Sequence, residues 1–265
     1  MNTTLLLAPA KLAATRAANY AHSQSGRRHD ANSISRFDIK HKLDVECEAL
    51  ATRTLLGAFP DSTIIGEESN TLSNDPPPSP KGIEWIVDPI DGTINFFHGM
   101  PYWNCSIAVR VDGVMKAGVV CAPELGLCFE ATDDGPALCN GEPIHVSSET
   151  DLKRAIVHTG SDKEEAPEDA FRFFDQFARI VQRPRVYGSA ALDICFVASG
   201  RCEGYFEHGI YIWDYAAADL ILRRAGGKSE ILRHHGGYRG AYFATSGQPS
   251  IHDALKAAIL PLLRS

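Results

Sequence analysis

The chain has 265 residues, of which 44% are hydrophobic and 22% charged, and its 26 basic and 33 acidic side chains give a net charge of −7. This composition is typical of a globular protein with one large domain or two modest ones, and it excludes disordered, collagen-like and coiled-coil chains. The acidic balance disfavours a dedicated nucleic-acid-binding role, because such proteins bind the phosphate backbone with clustered lysine and arginine.

The compartment is expected to be the cytoplasm. No window approaches the ~18–20 apolar residues of a membrane span. No basic residue precedes the apolar residues 5–7, so a secretory signal is not expected either. The cysteines show no C-x-x-C spacing and fall mostly within apolar runs, which favours buried reduced thiols. They are Cys47, Cys105, Cys121, Cys128, Cys139, Cys195 and Cys202.

The first half of the chain, residues 1–145, is predicted to be α+β. Apolar spacing predicts helices over 5–23 and within 37–59, followed by a short strand at 63–65. A strand at 84–87 is expected to stop at Asp88 because Pro89 follows it. Several β-like runs between 104 and 139, separated by glycine and proline, predict an antiparallel meander.

The second half, residues 146–265, is predicted to be α/β, because strands and helices alternate there. The predicted strands cover 155–158, 185–187 and 202–206, and the predicted helices cover 167–182, 190–199 and 213–225.

The most informative segment is WIVDPIDGTINF, residues 85–96. An apolar strand leads into Asp88, Asp91 follows within the turn, and Gly92 and Thr93 open a predicted helix with Thr93 as its N-cap. Carboxylate and carbonyl oxygens suit Mg²⁺. Free amides at a helix start suit a phosphate. An acidic turn with capping aspartates explains this segment alone equally well.

Two further acids favour the metal site. Glu67 follows the short strand at 63–65, and Asp214 opens a predicted helix. Acids that are brought together repel one another, so a cluster persists only if a cation neutralises it. Acids at three separate strand or helix ends therefore indicate a metal cluster.

With these residues the chain resembles the inositol monophosphatase family of lithium-sensitive, Mg²⁺-dependent phosphatases, over residues 38–227. The run 88–93 (DPIDGT) matches the family's first signature, and 213–217 (WDYAA) with 225–227 (AGG) matches its second. Glu67 stands where the family has a metal-binding glutamate. The resemblance implies a layered α-β-α-β-α sandwich, as in inositol monophosphatases and fructose-1,6-bisphosphatases.

The resemblance also implies a set of metal ligands. Glu67, Asp88 and the backbone carbonyl of Ile90 would hold one Mg²⁺, and Asp88, Asp91 and Asp214 would hold a second. Two such ions stabilise the attacking and leaving oxygens of an in-line displacement.

Catalytic and substrate roles follow from the same resemblance. Glu67 and Thr93, with Asp91, would direct the in-line attack of a metal-activated water on phosphorus. The amides of Gly92 and Thr93 would bind phosphate oxygens. Further substrate contacts would come from Gly188, Ser189, Ala190, Glu207 and Asp214.

The segment 38–44 departs from the family pattern. His41 replaces the family's threonine, and the lysine that often precedes this segment is Ser33 here. Asp44 keeps its spacing and is a candidate ligand for a third, weaker Mg²⁺. Three basic residues are candidates to replace the missing lysine near the phosphate. The alternative is that they are solvated residues near the start of the helix. The three residues are Arg36, Lys40 and Lys42.

We therefore expect a Mg²⁺-dependent phosphomonoesterase that hydrolyses a small polyol phosphate, with inositol monophosphate as the first candidate. Alternatives within the superfamily are histidinol phosphate, a sugar bisphosphate and 3′-phosphoadenosine 5′-phosphate. A non-catalytic relative that binds metal or phosphate is an alternative of another class. The resemblance also implies a homodimer.

Overall fold

The structure, a computed structural model, describes residues 3–34, 39–69, 80–160 and 171–263. Arg36, Asp38 and the predicted helix start at 167–170 lie outside these ranges. The elements in chain order are α1 (Thr4–Ser23), β1 (Ala31–Ile34), β2 (Ile39–His41), α2 (Lys42–Ala58), β3 (Thr63–Gly66), β4 (Ile83–Asp91), α3 (Thr93–His98), β5 (Asn104–Val111), β6 (Val114–Ala122), β7 (Leu127–Thr132), β8 (Leu138–Cys139), β9 (Glu142–Pro143), β10 (Ile156–Thr159), α4 (Arg172–Ile180), β11 (Arg183–Arg185), α5 (Ala190–Ala198), β12 (Gly204–Tyr211), α6 (Ile212–Arg224), β13 (Lys228–Gly236), β14 (Arg239–Thr245) and α7 (Pro249–Leu263).

Two large sheets carry the fold. The first has seven strands in sequence order from β3 to β9, and only its β3–β4 pair is parallel. The second has five strands in the order β11-β10-β12-β14-β13, parallel at its β10 end and antiparallel at its β13 end. The strands β1 and β2 form a separate antiparallel pair beside α2.

Three apolar cores separate the layers. Helices α1 and α2 pack on one face of the first sheet, through alanines of α1 and residues such as Trp85 and Ile107. Helices α5 and α6 fill the space between the two sheets. Helices α4 and α7 cover the outer face of the second sheet around Phe206 and Phe243. This order of layers confirms the predicted α-β-α-β-α sandwich.

The predicted meander is confirmed as β5 to β9, whereas the predicted end of the strand at 84–87 is wrong. Strand β4 continues through Pro89 to Asp91. Its register against β5 shifts between Asp88 and Asp91, so Pro89 falls in a bulge where no ladder bond is needed. The strands β13 and β14 and the helix α7 were not predicted.

The boundary between residues 145 and 146 stays a prediction. Each side of it carries one of the two large sheets, and α5 and α6 touch both. Within the described ranges, no helix is long and apolar enough to cross a membrane. All seven cysteines are free thiols.

Candidate metal and phosphate site

Three carboxylates from separate segments meet at the end of β4. The parallel pairing of β3 with β4 ends with the Glu67 amide donating to the Val87 carbonyl over 3.1 Å, which sets Glu67 beside Asp88. Asp214 comes from the first turn of α6. One oxygen from each of Glu67, Asp88 and Asp214 lies within 4.8 Å of the others.

Helix α6 brings Asp214 to this point because it lies close against the first sheet. Gly118 on β6 allows the approach, since a Cβ there would stand 2.6 Å from the Ala217 carbonyl oxygen. The Asp214 carboxylate itself closes the helix start, where its Oδ2 accepts a hydrogen bond of 2.8 Å from the Tyr211 amide. Backbone packing and capping together therefore fix the third acid.

The negative charges of the three acids repel one another, which favours a bound cation. Burial, together with the charges of Glu67, Asp91 and Asp214, holds the pKa of Asp88 well above its usual range. The donor set consists of oxygens only, which is the set that hard divalent cations such as Mg²⁺ prefer. The residues present therefore fit a magnesium centre, because a divalent ion would offset the charge that the surroundings of Asp88 disfavour.

Asp44 lies close to this cluster, and one of its two carboxylate oxygens lacks a hydrogen-bond partner among the described residues. Its Oδ2 accepts a 3.1 Å bond from the His41 amide in a capping box at the start of α2. Its Oδ1 is buried and makes no hydrogen bond with any described residue. Burial and the charges of Glu67 and Glu68 hold the pKa of Asp44 well above its usual range. A buried, unpaired carboxylate oxygen is consistent with the predicted third ligand position.

Asp91 has a different environment from the three converging acids. Its Oδ2 accepts hydrogen bonds from Asn104 Nδ2, Ser189 Oγ and the Ala191 amide at 2.7, 2.7 and 2.9 Å. Its Oδ1 accepts one bond of 3.1 Å, from the Ala190 amide. Burial still raises the pKa of Asp91 to about 6. Oδ1 is therefore the less engaged oxygen of Asp91, which stands outside the group of three converging acids.

The turn that follows Asp91 requires glycine. Gly92 has a φ of 94°, and a Cβ there would lie 3.1 Å from the Tyr102 carbonyl oxygen and 3.2 Å from that of Gly188. The predicted N-cap role of Thr93 is wrong, because Gly92 is the N-cap and Thr93 is the first helical residue. The Thr93 hydroxyl instead donates to the Ile90 carbonyl over 3.0 Å, so the predicted catalytic hydroxyl contacts the predicted carbonyl ligand.

The second half of the chain contributes the segment 187–191 to this turn. The Asn95 side-chain amide donates to the Tyr102 and Tyr187 carbonyls, at 2.7 Å in both cases. Ser189 and Ala190 meet Asp91 as described above. Asn104 was not predicted, since a lone asparagine at the start of a β-run gives no signal in the sequence.

Glu207 lies on β12, outside the three-carboxylate group. Its Oε2 accepts a short hydrogen bond from the Tyr205 hydroxyl. Its carboxylate fills the space beside Gly160, where a side chain would clash with it. The structure therefore places the Glu207 carboxylate beside Gly160, directly after the end of β10.

Of the residues that depart from the family pattern, Lys40 reaches the acids and His41 does not. The Lys40 Nζ lies 3.5 Å from Glu67 Oε1 and 3.4 Å from Glu68 Oε1. His41 accepts from the Leu43 amide and lies 2.6 Å from the Arg28 carbonyl, and burial lowers its pKa. A neutral imidazole with both nitrogens engaged has a structural role at the start of α2.

Comparison with known proteins finds matches over nearly the whole chain. The sequence profile described as "Inositol monophosphatase family" matches residues 3–262. The "Nus factor SuhB" of Pasteurella multocida is 35% identical over 239 residues, which are 89% of this chain and 86% of that protein.

Two further relatives carry phosphatase names. The "Inositol-1-monophosphatase" of Mycobacterium leprae is 34% identical over 224 residues, covering 82% of this chain and 76% of that protein. The solved inositol monophosphatase from Anabaena superposes with a TM-score of 0.83 at 31% identity, covering 98% of this chain and 97% of that one.

Proposed function

Because the chain belongs to the inositol monophosphatase family, we propose that it is a Mg²⁺-dependent phosphomonoesterase that hydrolyses a small polyol phosphate, with inositol monophosphate as the first candidate. The observation that carries this proposal is the convergence of Glu67, Asp88 and Asp214 within 4.8 Å. A protein without a cation would not benefit from gathering three acids in this way.

The metal ligands are assigned as follows. Glu67, Asp88 and the Ile90 carbonyl hold one ion, and Asp88, Asp91 and Asp214 hold a second. When bound, the ions neutralise charge on the phosphoryl group and lower the pKa of a water. Asp91 joins through Oδ1, because Oδ2 is engaged by three donors.

The chain's own groups then orient the attacking water. The Thr93 hydroxyl is fixed by its bond to the Ile90 carbonyl, so its oxygen accepts a hydrogen bond from the water in one direction. The Glu67 carboxylate accepts the proton that the water releases. Phosphoryl transfer requires positioning and charge neutralisation more than covalent chemistry, which is consistent with a site that uses no cysteine.

Substrate binding uses both halves of the chain. The Gly92 and Thr93 amides bind phosphate oxygens, and Gly188, Glu207 and Asp214 contact the polyol. Ser189 is buried and its hydroxyl donates to Asp91, so Ser189 supports the site rather than the substrate. The Ala190 amide already donates to Asp91, so Ala190 acts mainly by holding that carboxylate. Carboxylates such as Glu207 select hydroxyl-bearing substrates because they accept hydrogen bonds from them.

A second candidate function comes from the relatives named "Nus factor SuhB", one of which is 38% identical over 192 residues. In that role the chain would act through a partner, without turnover. The complete set of acids in this chain favours the enzymatic role, because partner binding alone does not need them.

The two roles are separated by an assay of phosphate release. The substrates are inositol 1-phosphate, histidinol phosphate, fructose 1,6-bisphosphate and 3′-phosphoadenosine 5′-phosphate, each with Mg²⁺ and with EDTA. We expect Mg²⁺-dependent turnover that is fastest on inositol phosphate and is lost in Glu67→Gln. The matched control, Glu124→Gln, removes an exposed carboxylate on the surface and should keep full activity. An absence of metal-dependent turnover on every substrate would overturn the proposal.

A further inference from the structure

Lys40 brings a positive charge to the outer side of the carboxylate cluster. Its Nζ lies within 3.5 Å of both Glu67 and Glu68, and its side chain is 37% exposed. Glu67 is at the same time one of the three acids that converge with Asp88 and Asp214. One carboxylate therefore faces the inner cluster and an ammonium group at once.

The acids around Lys40 form a second group, which shares Glu67 with the inner three. Glu48 Oε2 accepts a 2.9 Å bond from the Glu68 amide, and Gly66 has no side chain, which leaves room for the Glu48 carboxylate. Asp44, whose Oδ1 is buried and unpaired within the described ranges, interacts electrostatically with both Glu67 and Glu68. Glu67, Glu68 and Asp44 thus outline an outer cation position.

We propose that the Lys40 ammonium is the resident cation of this outer position and excludes a divalent ion from it, so that this chain holds one ion fewer than its carboxylates would otherwise support. The proposal rests on the metal centre of the proposed function. It assigns Lys40 a positioning role that depends on its charge.

The physical reason is competition between cations for the same oxygens. Two positive charges about 4 Å apart near a protein surface repel each other strongly. A divalent ion beside the ammonium meets twice that repulsion. The tethered lysine is present at any Mg²⁺ concentration, so it neutralises Glu67 and Glu68 before metal is added.

The chain offers a matched control in Lys42. Lys42 carries the same charge two residues away but is exposed at the first position of α2. Lys40→Met and Lys42→Met therefore change the net charge equally, and only the first removes a cation from Glu67 and Glu68. Lys40→Arg retains the charge and serves as the conservative variant.

The test counts ions in the absence of substrate. Metal-free wild-type protein, Lys40→Met, Lys40→Arg and Lys42→Met are each dialysed against Mn²⁺ at several concentrations, and the bound metal is measured. We expect one additional ion per chain in Lys40→Met, and the wild-type number in Lys40→Arg and Lys42→Met. The metal-free Lys40→Met protein should also unfold about 2 °C lower than wild type, since its acids have lost a neutralising partner.

Each outcome of the metal-binding experiment leads to one conclusion. Equal numbers and affinities in wild type and Lys40→Met would overturn the role of Lys40 while leaving the metal centre intact. An additional ion in Lys42→Met as well would attribute the effect to net charge and would also overturn it. If no protein binds Mn²⁺ in any preparation, the metal centre fails, and the proposed function fails with it.

Discussion

Asp88 and Asp91 lie three residues apart at the end of β4 and are both buried, yet their surroundings are opposite. Asp91 accepts four hydrogen bonds, from Asn104, Ser189 and the first turn of α5. Asp88 accepts a 3.1 Å bond from the Ile90 amide and otherwise faces other acids. Hydrogen bonds from the protein partly offset the burial of the Asp91 charge, whereas the neighbours of Asp88 are mostly acids that further disfavour its charge.

Because of this difference we expect Asp88 to have a mainly chemical role and Asp91 to have a structural role as well. The register shift at Pro89 separates Asp88 from Asp91, because it directs their side chains into different surroundings at the end of β4. Substitutions at the two positions should therefore separate activity from stability.

The largest effect is expected from Asp88→Asn. If Asp88 is shared by both proposed ions, loss of its carboxylate should lower kcat/KM by at least ~10³-fold, equivalent to about 4 kcal/mol of transition-state stabilisation. The metal-free variant should unfold at the same temperature as wild type or higher, because the substitution removes a buried carboxyl group whose charge its surroundings disfavour. Activity assays and thermal unfolding in EDTA measure the two effects. A large loss of metal-free stability would contradict this view of Asp88.

Asp91→Asn should affect stability as well as activity. An amide group cannot accept all the hydrogen bonds that now reach the carboxylate, so buried donors of Asn104, Ser189 or Ala191 lose their acceptor. We expect the free energy of unfolding of the metal-free protein to fall by roughly 2–4 kcal/mol. Chemical denaturation measures it, with Asp88→Asn as the matched control. Equal free energies of unfolding for Asp91→Asn and Asp88→Asn would contradict the different roles assigned to Asp91 and Asp88.

Addition of Mg²⁺ should stabilise the wild-type protein. A ligand at about 100 times its Kd that binds only the folded state adds about 2.7 kcal/mol. For a chain of this size the unfolding midpoint should rise by about 5–10 °C. Asp88→Asn should show almost none of this rise, and a full rise in that variant would place the ions elsewhere.

The smallest effect is expected from Ser189→Ala, which removes one of the donors to Asp91. We expect a loss of about 1 kcal/mol in unfolding free energy and less than a ~10-fold loss in activity. Ser199→Ala, at the other end of α5, is the control, because its hydroxyl bonds only to carbonyls of its own helix. Equal effects of both serines on activity would argue against a specific link from Ser189 to Asp91.

The sequence was sufficient to predict that Glu67, Asp88 and Asp214 lie together. Glu67 follows a strand, Asp214 opens a helix, and Asp88 stands at the bulge of β4, beside Glu67 through a parallel strand pair. The layered fold followed from the resemblance, whose two signatures lie within the elements that form the centre of the sandwich.

What the sequence could not predict depends on contacts between distant segments. The hydrogen bond between Ser189 and Asp91 spans 98 positions of the sequence, and no local sequence pattern predicts it. The passage of β4 through Pro89 depends on the register of the neighbouring strand β5. The approach of Lys40 to Glu67 required the fold, because on sequence alone Lys40, Lys42 and Arg36 were equivalent.

The three converging acids belong to two different layers, since Glu67 and Asp88 extend the first sheet and Asp214 opens a helix of the middle layer. Ions held by these acids, with Asp88 shared between them, would join two layers that come together only once the native packing is complete. Such a link contributes little to the rate of folding and much to the barrier against opening. Divalent ions would then set the lifetime of the native molecule, so that magnesium depletion shortens that lifetime even when no substrate is being turned over.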